Sequence, residues 1–401
     1  MSTGEGPVGV VAMAMAGAGL NAAAEPAPVS ASVPEVDALR EADRLMTICN
    51  SCRYCEGLCA VFPAMEMHRS FTPSDLNYLA NLCHSCGACL HDCQYAPPHE
   101  FKVNVPRVMA MVRADSYASY AWPSFLAPLF RRNGLAISII TAISVTAFIL
   151  AFIVAHDPAN LFAVHLGEGA FYEMMPHNMM VGLFGTVSLY SLLALAMGFR
   201  LFWKDTNAVN RVVADAPSVW QAVKDAAGLR YLDGGGVGCM NEDERPTDRR
   251  RLYHHLTFYG FMLCFASTTV ASLYHTFLGR EAPYPWYDLP VVLGTVGGIG
   301  LLIGPWGLLA AKWKRDPELK DPDRFGMDVA FLAMLFLTSL TGLVLLVLRA
   351  TPAMGLLLAL HLGVVFSLFI TMPYGKFVHG LYRFGALVRY AISRRSGFRP
   401  G

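Results

Sequence analysis

Cys49-Asn-Ser-Cys52-Arg-Tyr-Cys55-Glu-Gly-Leu-Cys59 has a counterpart further along the chain in Cys83-His-Ser-Cys86-Gly-Ala-Cys89-Leu-His-Asp-Cys93. Both read C-x2-C-x2-C-x3-C, the spacing in which three thiolates wrap one iron–sulfur cubane and the fourth reaches to its neighbour. On that logic Cys49, Cys52, Cys55 and Cys93 hold one [4Fe–4S] cluster, and Cys83, Cys86, Cys89 and Cys59 hold the other. Exchange of the fourth ligand ties the two halves into a single module. Zinc needs only two C-x2-C pairs and leaves the remaining cysteines without a purpose. Disulfides do not suit a reducing cytoplasm.

Histidines within apolar segments form a second candidate set, because an ionisable group inside a membrane is costly and by default suggests function. His361 and His379 are 18 residues apart, about five helical turns, and share a face if one helix carries both. His254 and His275 are 21 residues apart, about 5.8 turns and nearly in phase. The spacing from His255 to His275 is about 5.6 turns, almost opposite, which favours His254 over His255. If the two segments run antiparallel, His254 meets His379 at an inner level and His275 meets His361 at an outer one. Each pair then supplies two axial imidazoles to b-type haem, one haem or two in all, held between facing helices. His177, flanked by Pro176 and Asn178 at a span entrance, reads as a structural residue or part of a quinone site.

These ligands need elements to position them, and composition says which. Of 401 residues 54% are hydrophobic and 15% charged, with a mean hydropathy of +0.41; soluble domains carry roughly 25% charge. Six stretches, about 135–155, 178–202, 254–277, 290–311, 327–348 and 354–379, are long enough for a hydrocarbon core, which takes about 20 helical residues. Lys and Arg fall in alternate connections. Arg131 and Arg132 precede the first span; Lys204, Arg211, Lys224, Arg230, Arg245 and Arg249 to Arg251 follow the second; Lys312, Lys314, Arg315, Lys320 and Arg324 follow the fourth. The tail adds Arg383, Arg389, Arg394 and Arg395, whereas the intervening loops hold only Arg280 and Arg349. Basic short loops stay inside, which makes this a multi-pass protein of the cytoplasmic membrane with both termini and the cysteine module cytoplasmic. A net charge of +1 leaves no surplus for binding nucleic acid.

Between the cysteine motifs, Thr72-Pro73-Ser74-Asp75 is a helix start, and Leu76, Leu79, Ala80 and Leu82 follow at helical spacing. The expected fold is mainly α: an N-terminal α-helical ferredoxin module plus a six-helix transmembrane bundle of the di-haem cytochrome b type. Its parts are a disordered leader (1–40), the two-cluster module (41–115), an interfacial linker (116–134) carrying Trp122, Phe125 and Phe130, the haem-binding membrane domain (135–395) and a tail (396–401). Gly294, Gly297, Gly298 and Gly300 lie inside a span, so close helix packing is expected of them, not dinucleotide binding. Gly234 to Gly238, with Cys239, reads as a flexible turn, and Cys264 as a small buried hydrophobe.

With these motifs in place, residues from about Asp43 to Arg395 resemble the tricarballylate-utilisation proteins of the TcuB, or CitB, type and the C-terminal half of the fused CobZ proteins. Besides the cysteine motifs, the resemblance is carried by Leu229-Arg-Tyr-Leu-Asp-Gly-Gly-Gly-Val-Gly-Cys239, by Arg250-Arg-Leu-Tyr-His-His-Leu-Thr-Phe-Tyr-Gly-Phe261 onward to His275, and by Leu289 to Gly300. Pro373-Tyr-Gly-Lys376-Phe-Val-His379 is fainter, and is similar to the haem-binding γ subunits of nitrate reductases. The resemblance implies a carrier that reoxidises the FAD of a tricarballylate dehydrogenase on the cytoplasmic side and passes the electrons to quinone. A redox part in corrin synthesis, or a zinc-bearing membrane scaffold, are the alternatives. One departure is that neither Cys59 nor Cys93 is followed by Pro. No residue reads as a general base or nucleophile, so no catalytic residue is assigned.

Overall fold

The cysteine-bearing segment folds as helices α1 (Ala38–Cys52), α2 (Val61–Met65), α3 (Pro73–Leu82), α4 (Ala88–His91) and α5 (Val105–Ser119). The structure is a computed structural model that describes residues 38–207, 214–236, 238–320 and 325–396. Local chemistry starts α3: Thr72 Oγ1 accepts from the Asp75 N–H at 3.3 Å, and the Asp75 carboxylate accepts from the Thr72 N–H at 3.2 Å. This capping box satisfies two orphan donors, while Pro73 gives up an N–H the first turn does not use. Leu45 and Met46 of α1, Met65 of α2, Leu79 of α3 and Met109 of α5 are fully buried against one another's helices. Each such side chain contributes roughly 1.5–3 kcal/mol by leaving water.

The rest of the chain runs through α6 (Asn133–Ala155), α7 (Pro158–Leu161), α8 (Ala170–Met174), α9 (His177–Thr206), α10 (Ala216–Ala227), α11 (Arg249–Leu278), α12 (Leu289–Trp313), α13 (Phe325–Leu348), α14 (Met354–Thr371) and α15 (Val378–Arg395). Six of these helices, α6, α9, α11, α12, α13 and α14 with its extension to Tyr374, are long and apolar enough to cross a membrane. The architecture is that of a multi-pass membrane protein. No strand occurs among the described residues, which hold only an isolated bridge between Cys239 and Thr247.

Loop contacts show that the spans alternate in direction. At one end Gly169 N–H donates to Ala282 O and Arg349 to Tyr284 O. At the other, Ser74 meets Asp205 and Asn104 meets the Glu318 carbonyl, so the cysteine module and α15 share that end. The core is continuous there: Tyr117 of α5 and Tyr120, which caps it, lie 5.9 and 5.8 Å from Tyr382 of α15, and Phe202 of α9 stacks on Tyr382 at 5.0 Å. Between α11 and α12, a Cβ on Gly260 would lie 2.8 Å from Gly297 O, and one on Gly297 2.7 Å from Gly260 O. The glycine run of α12 thus packs helix on helix, as its place inside a span implies.

The sixth span differs from expectation. Its α-helix ends at Thr371, a 3-10 turn completes it over Met372–Tyr374, and His379 belongs to the separate helix α15. Pro373 has no N–H to give to the ladder, and although Met372 keeps helical angles, the backbone turns extended at Gly375 (φ −141°, ψ −166°), which breaks the run. Consequently the five-turn phase linking His361 to His379 does not exist. The linker also begins later than 116, because α5 continues to Ser119, and Phe130 turns into the core while Phe125 stays exposed. The expected leader (1–40), apart from its last three residues in α1, residues 397–401 of the tail, and Arg211 and Arg324 lie outside the described residues.

Candidate functional site

Helix ends place the cysteines. Cys49 and Cys52 lie in the last turn of α1, Cys83 caps α3, and Cys89 sits in α4. Cys49, Cys52, Cys55 and Cys93 line one pocket together with Phe62 and Tyr95. Cys59 of the first motif instead neighbours Cys83, Cys86 and Cys89 of the second. Burial pushes the Cys49 and Cys55 thiols up to about 12, helped by repulsion among the thiolates of Cys49, Cys52, Cys55 and Cys93. Burial also pushes Cys86 up to about 11, with Cys239 and Cys83 adding to it, and holds Cys59 and Cys89 well above the ordinary thiol range. No three of the described His, Cys, Asp or Glu side chains converge as the ligands of a single ion do. The sulfurs stand around a space, not a point.

Guanidinium groups clamp the second group to the membrane bundle. Arg113 of α5 donates to Cys83 O at 2.6 Å, and Arg383 of α15 to the same oxygen at 2.9 Å. Arg250 of α11 and Arg315, just beyond α12, donate to Ser85 O at 2.6 and 3.1 Å. Four cations from four elements thus hold one short loop, whose carbonyls are turned toward them. The segment expected to be a flexible turn instead crosses both motifs. A Cβ on Gly235 would meet Gly57 O at 2.9 Å, and Cys239 Sγ donates to Cys86 O at 3.1 Å. Gly234, Gly235, Gly236 and Gly238 all have positive φ, a conformation glycine adopts without strain.

Of the histidines, His254 and His379 come together, with ring centres 6.2 Å apart and planes at 74°. His379 Nδ1 is held at Lys376 O, which leaves Nε2 free, and His254 Nδ1 is buried without a partner. Lys376 itself pairs with Asp328 at 2.9 Å, and Asp328 also pairs with Lys312, which ties α15's entry to α12 and α13. His255 lies against Tyr259. His275 and His361 are not brought together. His275 stacks on His177 at 3.6 Å with Tyr172 edge-on to both rings, whereas His361 Nδ1 meets Thr341 Oγ1 at 2.9 Å. Depth explains it: His275 is within one turn of its helix end and His361 about 10 Å inside its own.

Residues that sequence reasoning passed over complete the site. His84 is buried, its Nδ1 faces Leu82 O at 2.9 Å, and burial and the cations Arg383 and Arg113 keep it neutral. Its place inside the second cysteine motif was a signal. The four arginines gave none, since in sequence they are indistinguishable from topogenic charges. Comparison with known proteins divides the chain into the same two parts. The sequence pattern described as citrate utilization protein B matches residues 128–399, and that of its Fer4-like domain matches 42–119. A relative from Escherichia coli, named citrate utilization protein B, is 48% identical over 367 residues, spanning 90% of this chain and 94% of the relative. No solved structure matches.

Proposed function

Because the chain belongs to the citrate utilization protein B family, with a ferredoxin-like N-terminal domain and six apolar helices, we propose that it carries electrons from a reduced flavoprotein to membrane quinone. One observation carries this: eight thiols sort into two crossed groups of four, and the second group is fastened by Arg250, Arg315 and Arg383 to the end of the bundle that holds His254 and His379. [4Fe–4S] clusters on those thiols supply one-electron transfer. Buried thiols whose thiolates repel one another release their protons to a strongly cationic centre, and with the C-x2-C-x2-C-x3-C spacing the donor set fits iron–sulfur cubanes. The guanidinium groups add positive field beside the second group and favour its extra electron.

His254 and His379 fit haem. With ring nitrogens about 2 Å from a shared metal, two imidazole centres lie about 6 Å apart, close to the separation observed. Held at Lys376, His379 keeps a fixed tautomer, which is what an outer hydrogen bond does for a metal-bound imidazole. Haem b held by His254 and His379 would supply one-electron chemistry at the module's end of the bundle. His275 and His361 have other neighbours, so a single haem at the inner pair is proposed.

The basic connections at the module's end support a cytoplasmic module and an FAD-dependent dehydrogenase docking there. Its substrate is proposed to be a tricarboxylate: the Escherichia coli relative is named for citrate, and the resemblance implies tricarballylate. The test is iron, acid-labile sulfide and the dithionite-reduced spectrum of anaerobically purified protein. About eight irons, as two cubanes require, and reduced-haem bands are expected. Stoichiometric zinc without iron, persisting after reconstitution, would overturn the proposal.

A further inference from the structure

A cavity of about 250 Å3 opens at the module's end of the bundle, between the 3-10 segment Ser124–Phe130, the first turns of α6, and α9 and α14. Leu126, Ile140 and Ile370 make its walls apolar; Asn133, Tyr190, Thr371 and Tyr374 also line it, and the surface it presents is almost wholly apolar. A mostly apolar pocket with a few convergent polar groups is the form small-molecule sites take.

The polar end is unfinished. Asn133 is 3% exposed; its Nδ2 donates to Leu129 O and Tyr374 O, and its Oδ1 is buried without a partner. A buried acceptor left so is a cost that a ligand O–H would recover. Beside it Tyr190 and Tyr374 share a hydroxyl–hydroxyl bond of 2.5 Å, and Tyr374 also donates to Trp122 O at 3.0 Å. These hydroxyls rotate and can give or take a proton.

Resting on the proposed quinone reduction, we infer that this cavity is the quinone site. Its depth suits a ligand that arrives through lipid, since Phe125, 76% exposed, marks the interface and Arg131 and Arg132 stand beside it. No Lys or Arg lines the cavity, which disfavours a phosphate headgroup. Tyr374 is five residues before His379, so the cavity adjoins the inner histidine pair along the chain. The reaction balances with the partner's flavin hydroquinone as reductant. Quinone takes two electrons, one at a time from the His254–His379 end, and two protons from water by way of the Tyr374 and Tyr190 hydroxyls. Its two carbonyls become hydroxyls, one of which donates to Asn133 Oδ1.

The test uses the full chain in lipid nanodiscs, reduced with dithionite and mixed anaerobically with decyl-ubiquinone or menaquinone-1. Ala136→Trp, which fills the cavity, and Asn133→Leu should slow reoxidation about tenfold or more, equivalent to about 1.4 kcal/mol. Ile139→Trp, on the exposed side of the same helix, should not. Reoxidation by ferricyanide and iron and haem contents should stay at wild-type levels in all three. Equal quinone rates in the cavity variants would overturn the site while leaving the carrier intact; a wild-type protein that no quinone reoxidises would overturn the carrier reading and the site with it. Should the variants fold poorly, photolabelling of the wild type with an azidoquinone decides: label within 126–140 or 370–374 supports the site, and label confined elsewhere refutes it.

Discussion

At the scale of single residues, burial and mutual repulsion set the chemistry of the cysteines. Cys49 and Cys55 are pushed up to about 12, against about 8.5 for a free thiol. Their thiolates therefore appear only at higher pH in the metal-free fold, and alkylation follows the thiolate. After chelation and reduction, iodoacetamide labelling of these two should be slow at pH 8, accelerate toward pH 11, and become fast at pH 8.5 once urea unfolds the module; peptide mass spectrometry reads it. Fast labelling at pH 8 in the folded protein would contradict the buried grouping. Among the histidines, His379→Ala should remove haem measured by pyridine haemochrome, whereas His361→Ala should retain it. The expected grouping of the cysteines came from motif spacing alone, and in the structure Cys93 lies beside the first motif and Cys59 beside the second. Histidine pairing was only half legible, because helical phase tells which side of a helix a residue occupies and not how deep the facing residue lies.

The elements show what holds the groups in register. Gly87, at φ +90°, allows the Gly238–Met240 strap to lie on the second motif, and a Cβ there would sit 1.9 Å from Met240 O. Gly87→Ala adds left-handed strain of about 1–3 kcal/mol to that collision. About four irons should be lost from the second group while the first stays loaded, as iron analysis and paramagnetic resonance would show. On the opposite side Arg389 of α15 pairs with Asp75 of α3 at 3.0 Å and lies 3.9 Å over the Tyr78 ring, all three largely buried. Removing one partner of a buried pair costs about 3–5 kcal/mol, so Arg389→Met should lower the module's melting temperature by several degrees. Thr72-Pro-Ser-Asp75 announced α3 because capping is local. The break at Pro373-Tyr-Gly375 was equally local, yet hydropathy running on through Phe377 hid it. Gly234 to Gly238 looked mobile because glycine signals permissive backbone, and only tertiary contact reveals whether that freedom serves motion or close approach.

For the whole molecule, composition and alternating charge were enough to see six spans with the module at one end, since length and hydropathy are properties of the segment alone. Which helices touch, and that the cysteine module is fused to the bundle through one continuous core, depends on contacts between distant segments. The resulting order is cysteine groups, clamped loop, inner histidine pair and apolar cavity, all gathered at one end. Arg383→Gln, which loosens Cys83 from α15, should slow haem reduction more than it changes cluster content. The central claim is tested most directly by anaerobic stopped-flow on the nanodisc-embedded protein mixed with a reduced flavoprotein donor. Cluster bleaching should come first and reduced-haem absorbance second, with both reversing when quinone is added, and in Cys86→Ser the first group should still bleach while the haem stays oxidised. Haem reduction at wild-type rate in Cys86→Ser, or clusters that bleach without any reduction of haem or quinone in the wild type, would contradict the account.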